Sequence, residues 1–457
     1  MTLGPLHGFR DFYPADLAER AHIMRAWRDV ARRFAFVEYD GPPLESLELY
    51  TRKSGDEIVG QLYHFTDKGG REVAMRPEMT PTVARMVGAR ANALRKPVRW
   101  FSIPQLFRYE RSQKGRLREH FQLNVDIFGE ADVTADAELV AVAIEVMRTL
   151  GLTPDDVRVR VSDRRLLHNV LASFGVAATR HAAVFAVVDK IERLAGADAK
   201  TKLELAARDP EATPDQYVRE TGLGEVLFDL LSREWTPSEL ARALEARGTS
   251  MGADIDRLTR FFECLAALGV DDWTRIDLRI VRGLAYYTGI VFELFDAHGE
   301  HRAICGGGRY DNLLKDLAGV DMPALGFGMG DVVLGDLLRS RGKLPTEAPR
   351  PDFWVTGNAS GGITLAMRVA RELRAAGFSV EYALRAQKPD KQYKAAQSAG
   401  ARYVLQLHEE FSENRAVTIR EAHRPPDGAS LVAFLSGADV ALDQVIHAAT
   451  AHRAAAF

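Results

Sequence analysis

The period of the apolar positions changes several times along the chain, and each change predicts an element. Residues 18–36 (AERAHIMRAWRDVARRFAF) place apolar side chains at helical spacing with arginines opposite, which predicts an amphipathic helix. The turn DGPPLES follows at 40–46. Short or alternating apolar runs near 73–76, 98–101, 105–110 and 121–128 are bounded by turn residues and predict strands. The helical period returns over about 134–150, and VRVRVS at 157–162 predicts a further strand. From about 165 to 265 the chain is rich in Ala, Leu, Glu and Arg and predicts helices, with loops at DPEATPD and GTSMGAD. Strand character resumes at 275–281, 290–296 and 302–305, and a glycine-rich strand-to-helix passage covers 324–338.

At 341–352 the stretch RGKLPTEAPRPD replaces periodicity with charge and proline and marks a boundary. Beyond it the order is strand (DFWVTG), helix (ITLAMRVARELRAAG), strand (SVEYAL), helix and strand (ARYVLQL). Such alternation predicts a small α/β domain with a parallel or mixed sheet. The expected architecture is an α+β main domain over 1–340 with a helical insertion at about 165–265, a linker at 341–352, and an α/β domain over 353–457.

Composition narrows the class. A chain of 457 residues with 46% hydrophobic and 27% charged residues is an ordinary globular balance with ample material for large cores. A net charge of −3 predicts no general affinity for nucleic acid, so any such contact must be local. Cys264 and Cys305 lack metal-ligand spacing and are too few for a disulfide framework, which predicts a reducing cytoplasm and no structural metal. The segment MTLGPLHGFRDFYP has no apolar leader and no later run reaches the length of a membrane span, so a cytoplasmic location away from membranes is expected.

Five stretches carry candidate chemistry. In FRYERSQKGRLREHFQ (107–122), Arg108 and Glu110 are expected on a strand, where an arginine beside a carboxylate is preorganised for phosphate or carboxylate binding. Arg111, Lys114 and Arg116 surround the turn at Gly115, where a solvated hairpin tip and a contact to a nucleic-acid backbone are both open readings. In AMRPEMTPTVAR (74–85), Arg76, Glu78 and Thr80 stand at a strand-to-helix junction, with capping or ammonium recognition as the alternatives. RIVRGLAYYTGIVFELF (279–295) brings Arg282 close to Tyr286 and Tyr287, a pair whose ordinary role is in a core or interface. The glycines of CGGGRYDNLL (305–314) and GFGMGDVVLGDLL (326–338) imply close backbone approach, either to a ligand phosphate or between packed elements.

Together these stretches resemble the class II aminoacyl-tRNA synthetases, and specifically the histidyl-tRNA synthetase family. GFRDFYP, LYHFTDKGGREVAMRPEMT, FRYERSQKGRLREHFQLNVDIFGE, VRGLAYYTGIVFE and GGGRYDNLL occur in the family's order. VVDKIERL (187–194) resembles its helical insertion, and KQYKAAQSAGARYVLQL (391–407) its anticodon-binding domain. The resemblance implies a six-stranded antiparallel catalytic sheet flanked by helices, acting as a homodimer. It implies a two-step reaction, in which ATP with Mg2+ and histidine form histidyl-adenylate and the histidyl group passes to tRNA(His).

By the same resemblance Arg108 and Arg282 hold the α-phosphate, and Glu110 contacts the adenine side. Glu78, Thr80 and Gln122 hold the α-amino group of histidine, while Asp126 and Tyr287, with Tyr286 alongside, reach the ring nitrogens. Arg111, Gln113, Lys114 and Arg116 face the acceptor stem. Two departures are expected to matter: Ala285 where VRGLDYY is common, and Val333 where the family's GFAMGLERL carries arginine. The runner-up is a synthetase-like histidine sensor, such as the regulatory subunit of ATP phosphoribosyltransferase. The α/β domain, the basic RSQKGR tip, Arg108 and Arg282 favour the synthetase. A pure RNA-binding protein would leave the histidine constellation without a purpose.

Overall fold

The computed structural model describes residues 4–52, 60–110, 115, 117–208, 222–281, 286–345, 350–357, 362–408, 411, 415–422 and 439–455. The chain divides into two compact units: Met1–Tyr13 with Glu19–Pro345, and Pro14–Ala18 with Thr346–Phe457.

The first unit is built on a sheet of β1 (Val37–Glu38), β2 (Val98–Ser102), β3 (Glu119–Phe128), β4 (Val157–Asp163), β5 (Thr274–Ile276), β6 (Ile290–Asp296), β7 (Cys305–Arg309) and β8 (Ala324–Gly330). Their order across the sheet is β1-β2-β3-β8-β7-β6-β4-β5. The six from β2 to β4 pair antiparallel, as expected, and β1 and β5 add a parallel strand at either edge. A small antiparallel sheet of Leu44–Ser46, Glu72–Met75 and His64–Thr66 stands apart from it.

Side chains alternate across these strands, so register decides which face each one meets. One face presents Leu123, Val125 and Ile127 of β3, Leu325, Phe327 and Met329 of β8, and Phe292 and Leu294 of β6, all in the main core. Helix α1 (Pro14–Arg33) buries Ile23, Ala26, Trp27, Val30 and Ala31 in that core, an i, i+3, i+4 stripe. Its start lies four residues before the expected one because Pro14 fits the first helical turn, where a missing N–H costs nothing. Helix α2 (Thr80–Ala89) begins within the 74–85 motif. Helix α3 (Val133–Thr149) is buried on nearly every side, and its first turn is capped by Asp132, which accepts from the Thr134 amide at 3.0 Å. Helix α4 (Asp331–Ser340) follows β8 directly and buries Leu334, Leu337 and Leu338 against the same core.

The insertion is helical, as expected: Arg164–Ser173, Ala178–Val188, Gly196–Ala207, Leu223–Leu231, Pro237–Glu245 and Gly252–Ala267 surround their own core. Among the described residues no single helix is long and apolar enough to cross a membrane, though the bent pair Arg164–Ser173 and Ala178–Val188 has the required length and composition.

The second unit carries a mixed five-stranded sheet, in the order Val380–Tyr382, Phe353–Thr356, Tyr403–Leu407, Ala416–Glu421, Asp439–Ala441. The first three strands run parallel and the last two pairings are antiparallel.

Three strand expectations change. The run 275–281 is strand only to Ile276, because the Asp277 carboxylate accepts from the Arg279 amide at 3.0 Å and turns the chain. The run 105–110 is strand only over Gln105–Phe107. The expected strand at 302–305 instead occupies Cys305–Arg309, so the three glycines lie inside it.

Candidate active site

The face of the sheet opposite the core is paved with glycine. Register places Gly306 and Gly308 of β7 opposite Gly328 and Gly326 of β8, and Gly326 opposite Asp126 of β3. A Cβ at Gly326 would collide with the Asp126 carboxylate. One at Gly328 would lie 2.8 Å from the Gln122 side-chain amide, and one at Gly308 would lie 3.0 Å from the Tyr287 ring. Three expected site residues therefore lean over positions that have no side chain. Glycine weakens a strand's interior, so a run of it in two central strands marks a floor kept bare.

Around this floor the separate sequence signals converge. The Phe107 amide donates to the Arg76 carbonyl at 3.0 Å, and the Arg108 guanidinium donates through Nε to the Pro77 carbonyl at 2.9 Å. These bonds dock the 107–122 segment onto the 74–85 motif. The Tyr286 hydroxyl donates to Glu78 at 3.5 Å, which joins the third signal to the second. Glu78 is buried, and Thr80 opens α2 beside it. Arg76 plays a supporting part: it is buried and donates to Gln105, Gly41 and Asp40, tying the motif to its surroundings.

Asp126 is 3% exposed, and the Tyr310 hydroxyl donates to its Oδ1. Burial pushes its carboxyl up to about 7, while the Tyr310 bond pulls the other way. Tyr310 is itself buried and meets Tyr286 edge-on at 5.9 Å between centroids, and Tyr286 lies 5.1 Å from Tyr287. The buried Asp126 carboxylate, the tyrosines and a second carboxylate, Glu78, are thereby brought together. Such a set suits a ligand with an ammonium group and a polar ring.

On the other side of Gln122, Arg108 continues the β3 pairing beyond the strand end, its amide donating to the Arg118 carbonyl at 3.0 Å. The Glu110 amide donates to the Arg108 carbonyl at 2.8 Å, so Glu110 stands in a turn rather than on the expected strand. Burial, with Arg108 and Arg10 nearby, pushes His120 down to about 3, so its imidazole is neutral at physiological pH. The segment 326–338 resolves here: Asp331 accepts the Phe121 amide at 2.9 Å and lies 3.0 Å from Arg10, which also donates to Glu119 at 2.7 Å. Asp331 is thus an anchor for β3 and the N-terminal GFRDF segment. Val333 is half-buried against the core, and its Cγ2 lies 3.4 Å from the point where Gly115 would carry a Cβ.

Arg282, Ala285, Arg111, Gln113, Lys114 and Arg116 lie outside the described residues. The sequence reading missed Tyr310 and the Arg10–Asp331 pair. Tyr310 had a signal, a tyrosine directly after GGGR. The pair had none, since 320 residues separate its members along the chain.

The family profile described as histidyl-tRNA synthetase matches residues 8–330, well over half of the chain. The chain belongs to the histidyl-tRNA synthetase family. A second profile, described as an anticodon binding domain, matches residues 356–431. Among curated relatives, the histidine–tRNA ligase of Opitutus terrae is 46% identical, over 88% of this chain and 90% of that protein. The histidine–tRNA ligase of Haloarcula marismortui is 39% identical, over 91% and 92%. The chloroplastic/mitochondrial histidine–tRNA ligase of Arabidopsis thaliana is 36% identical, over 92% and 83%.

Among solved structures, histidyl-tRNA synthetase from Nostoc sp. PCC 7120 superposes with a TM-score of 0.80 at 21% identity, covering 98% of this chain and 99% of that one. An ATP phosphoribosyltransferase regulatory subunit/histidyl-tRNA synthetase from Bacillus halodurans C gives 0.69 at 22%, covering 86% and 97%. These two likenesses speak to the fold, which is that of the histidyl-tRNA synthetase family.

Proposed function

We propose that the chain is an aminoacyl-tRNA ligase that activates histidine with ATP and transfers it to tRNA(His). The observation that carries this reading is the convergence of Glu78, Gln122, Asp126, Tyr286 and Tyr287 around a glycine floor, in a chain whose relatives are named histidine–tRNA ligase. In this reading Glu78, with Thr80 and Gln122, accepts hydrogen bonds from the α-ammonium group. Asp126 and the tyrosines take the imidazole nitrogens, which need partners on opposite edges of the ring.

The histidine carboxylate itself attacks the α-phosphate of ATP, and pyrophosphate leaves. No protein nucleophile is required, so catalysis rests on positioning and on neutralising charge that develops at phosphorus. Arg108, fixed by its bond to Pro77, supplies one guanidinium there, and Arg282 supplies the second. Glu110 takes the adenine side. Mg2+ arrives with ATP and leaves with pyrophosphate. Arg111, Gln113, Lys114 and Arg116 meet the acceptor end of the tRNA.

Residues 1–340 then form the catalytic part with its insertion at about 165–265, 341–352 the linker, and 353–457 the anticodon-binding part of a cytoplasmic homodimer. The α/β unit and the ligase relatives leave the histidine-sensor reading unfavoured.

The test is histidine-dependent exchange between pyrophosphate and ATP, followed by charging of tRNA(His). Both activities are expected. Histidine binding with no exchange at saturating ATP would overturn the ligase reading in favour of the sensor.

A further inference from the structure

The ring-binding carboxylate does not orient itself. Asp126 sits on β3 with a side chain of only one methylene, and its cross-strand neighbour Gly326 offers nothing to lean against. A short carboxyl in that position rotates freely about its χ2 unless something holds one oxygen. Tyr310 supplies the hold. Its hydroxyl donates to Oδ1, and its ring is fixed by edge-on contacts with Phe128 at 6.5 Å and Tyr286 at 5.9 Å. Among the described residues no hydrogen bond engages Oδ2, and Oδ2 is not among the sealed, unpartnered polar atoms.

We propose that Tyr310 is a positioning residue for amino-acid selection: its hydroxyl occupies Oδ1 of Asp126 and so turns Oδ2 toward the ring N–H of histidine. The proposal rests on the histidine-binding reading and deepens it.

The surroundings of Asp126 agree with this. The titratable groups that face it are Tyr39 from beyond β1 and Tyr310 from beyond β7, with Tyr286 and Glu78 one layer further. Both Tyr39 and Tyr310 are held protonated, by burial first and then by the Asp126 charge. No cation contributes to the Asp126 balance; burial raises its pKa and the Tyr310 bond lowers it. Tyr310 is therefore the group that favours the ionised carboxylate. It does so as a donor, without bringing a positive charge that would repel an imidazolium.

The experiment is Tyr310→Phe in the full chain, which keeps the ring and its contacts and removes one oxygen. Histidine affinity by calorimetry and the KM for histidine in pyrophosphate exchange are expected to weaken about ten- to a hundredfold, the loss for a hydrogen bond to a charged acceptor. The KM for ATP and the kcat at saturating histidine are expected to stay within about threefold. The acid limb of the histidine KM profile is expected to move to higher pH, because the bond that lowers the Asp126 pKa is gone.

A second measurement guards against a purely structural effect. In an Asp126→Asn background, adding Tyr310→Phe is expected to cost less than about threefold further, since the hydroxyl acts through the carboxylate. Unchanged histidine affinity and pH profile in Tyr310→Phe would overturn the proposal, as would an equal loss of ATP affinity or a full additional loss on Asp126→Asn. Absence of histidine binding in the unaltered protein would instead overturn the reading beneath it.

Discussion

At the scale of single residues, the site depends on what three glycines omit. Gly326→Ala puts a methyl group into the Asp126 carboxylate, with the Val125 carbonyl 2.9 Å away to block relaxation. Histidine-dependent pyrophosphate exchange is expected to fall by about a hundredfold or more, as for a misplaced catalytic constellation, measured beside ATP affinity as a control. The charge state of Asp126 yields a second prediction. Burial pushes its carboxyl up to about 7, so it protonates as pH falls through that value, and a protonated carboxyl no longer presents a full negative charge to the ring N–H. Histidine affinity is therefore expected to fall between pH 7.5 and 5.5, by up to about tenfold per pH unit at the acid end. Calorimetry across that range checks it, and a flat profile would contradict the role given to Asp126. Glu78, Thr80, Gln122, Tyr286 and Tyr287 fall within the motifs at 74–85, 107–122 and 279–295, whereas Asp126 lies beyond them and was singled out only by the family resemblance. Tyr310 was passed over although it follows GGGR, because that signal does not distinguish a tyrosine that packs from one that donates.

At the scale of elements, alternation and caps made most boundaries readable, and the misses had separate local causes. Asp277 ends a strand early by turning the chain onto Arg279, a local contact that apolar periodicity does not register. The glycines at 306–308 concealed a central strand, because the residue type with the poorest strand propensity occupies its middle. That strand is held from its end instead. Arg309 is buried and donates to the Glu130 carbonyl at 2.9 Å and to Asp136 of α3, so it fastens β7 to the helix behind the sheet. Arg309→Met leaves the Asp136 carboxyl buried and unpaired, with an expected loss of about 3–5 kcal/mol in unfolding free energy. Urea denaturation measures this, and a change under 1 kcal/mol would show that the pair is dispensable.

At the scale of the whole molecule, composition limited the possibilities without naming a function. A net charge of −3 cannot hold a polyanion, so contact with tRNA has to come from a local basic cluster such as RSQKGR. The double substitution Lys114→Ala with Arg116→Ala is expected to raise the KM for tRNA(His) about tenfold and to flatten its salt dependence. Pyrophosphate exchange, which needs no tRNA, is expected to remain within about twofold. Equal losses in both assays would place these residues elsewhere in the reaction. The proline-rich stretch at 341–352 contains the point, between Pro345 and Thr346, where the chain passes from one compact unit to the other, whereas nothing in the sequence marked Pro14–Ala18 as part of the second. The antiparallel end of the second sheet, Ala416–Glu421 and Asp439–Ala441, was not, since two short strands flank a segment without clear periodicity.

The bare floor also makes the response of this pocket to mutation one-sided. Every amino-acid replacement of Gly308, Gly326 or Gly328 adds atoms, so random change at these codons narrows the site and never enlarges it. If the proposed histidine site is right, a variant that accepts a bulkier amino acid is expected to arise at the rim, by shortening Tyr286, Tyr287 or Gln122, while the centre of the sheet stays as it is.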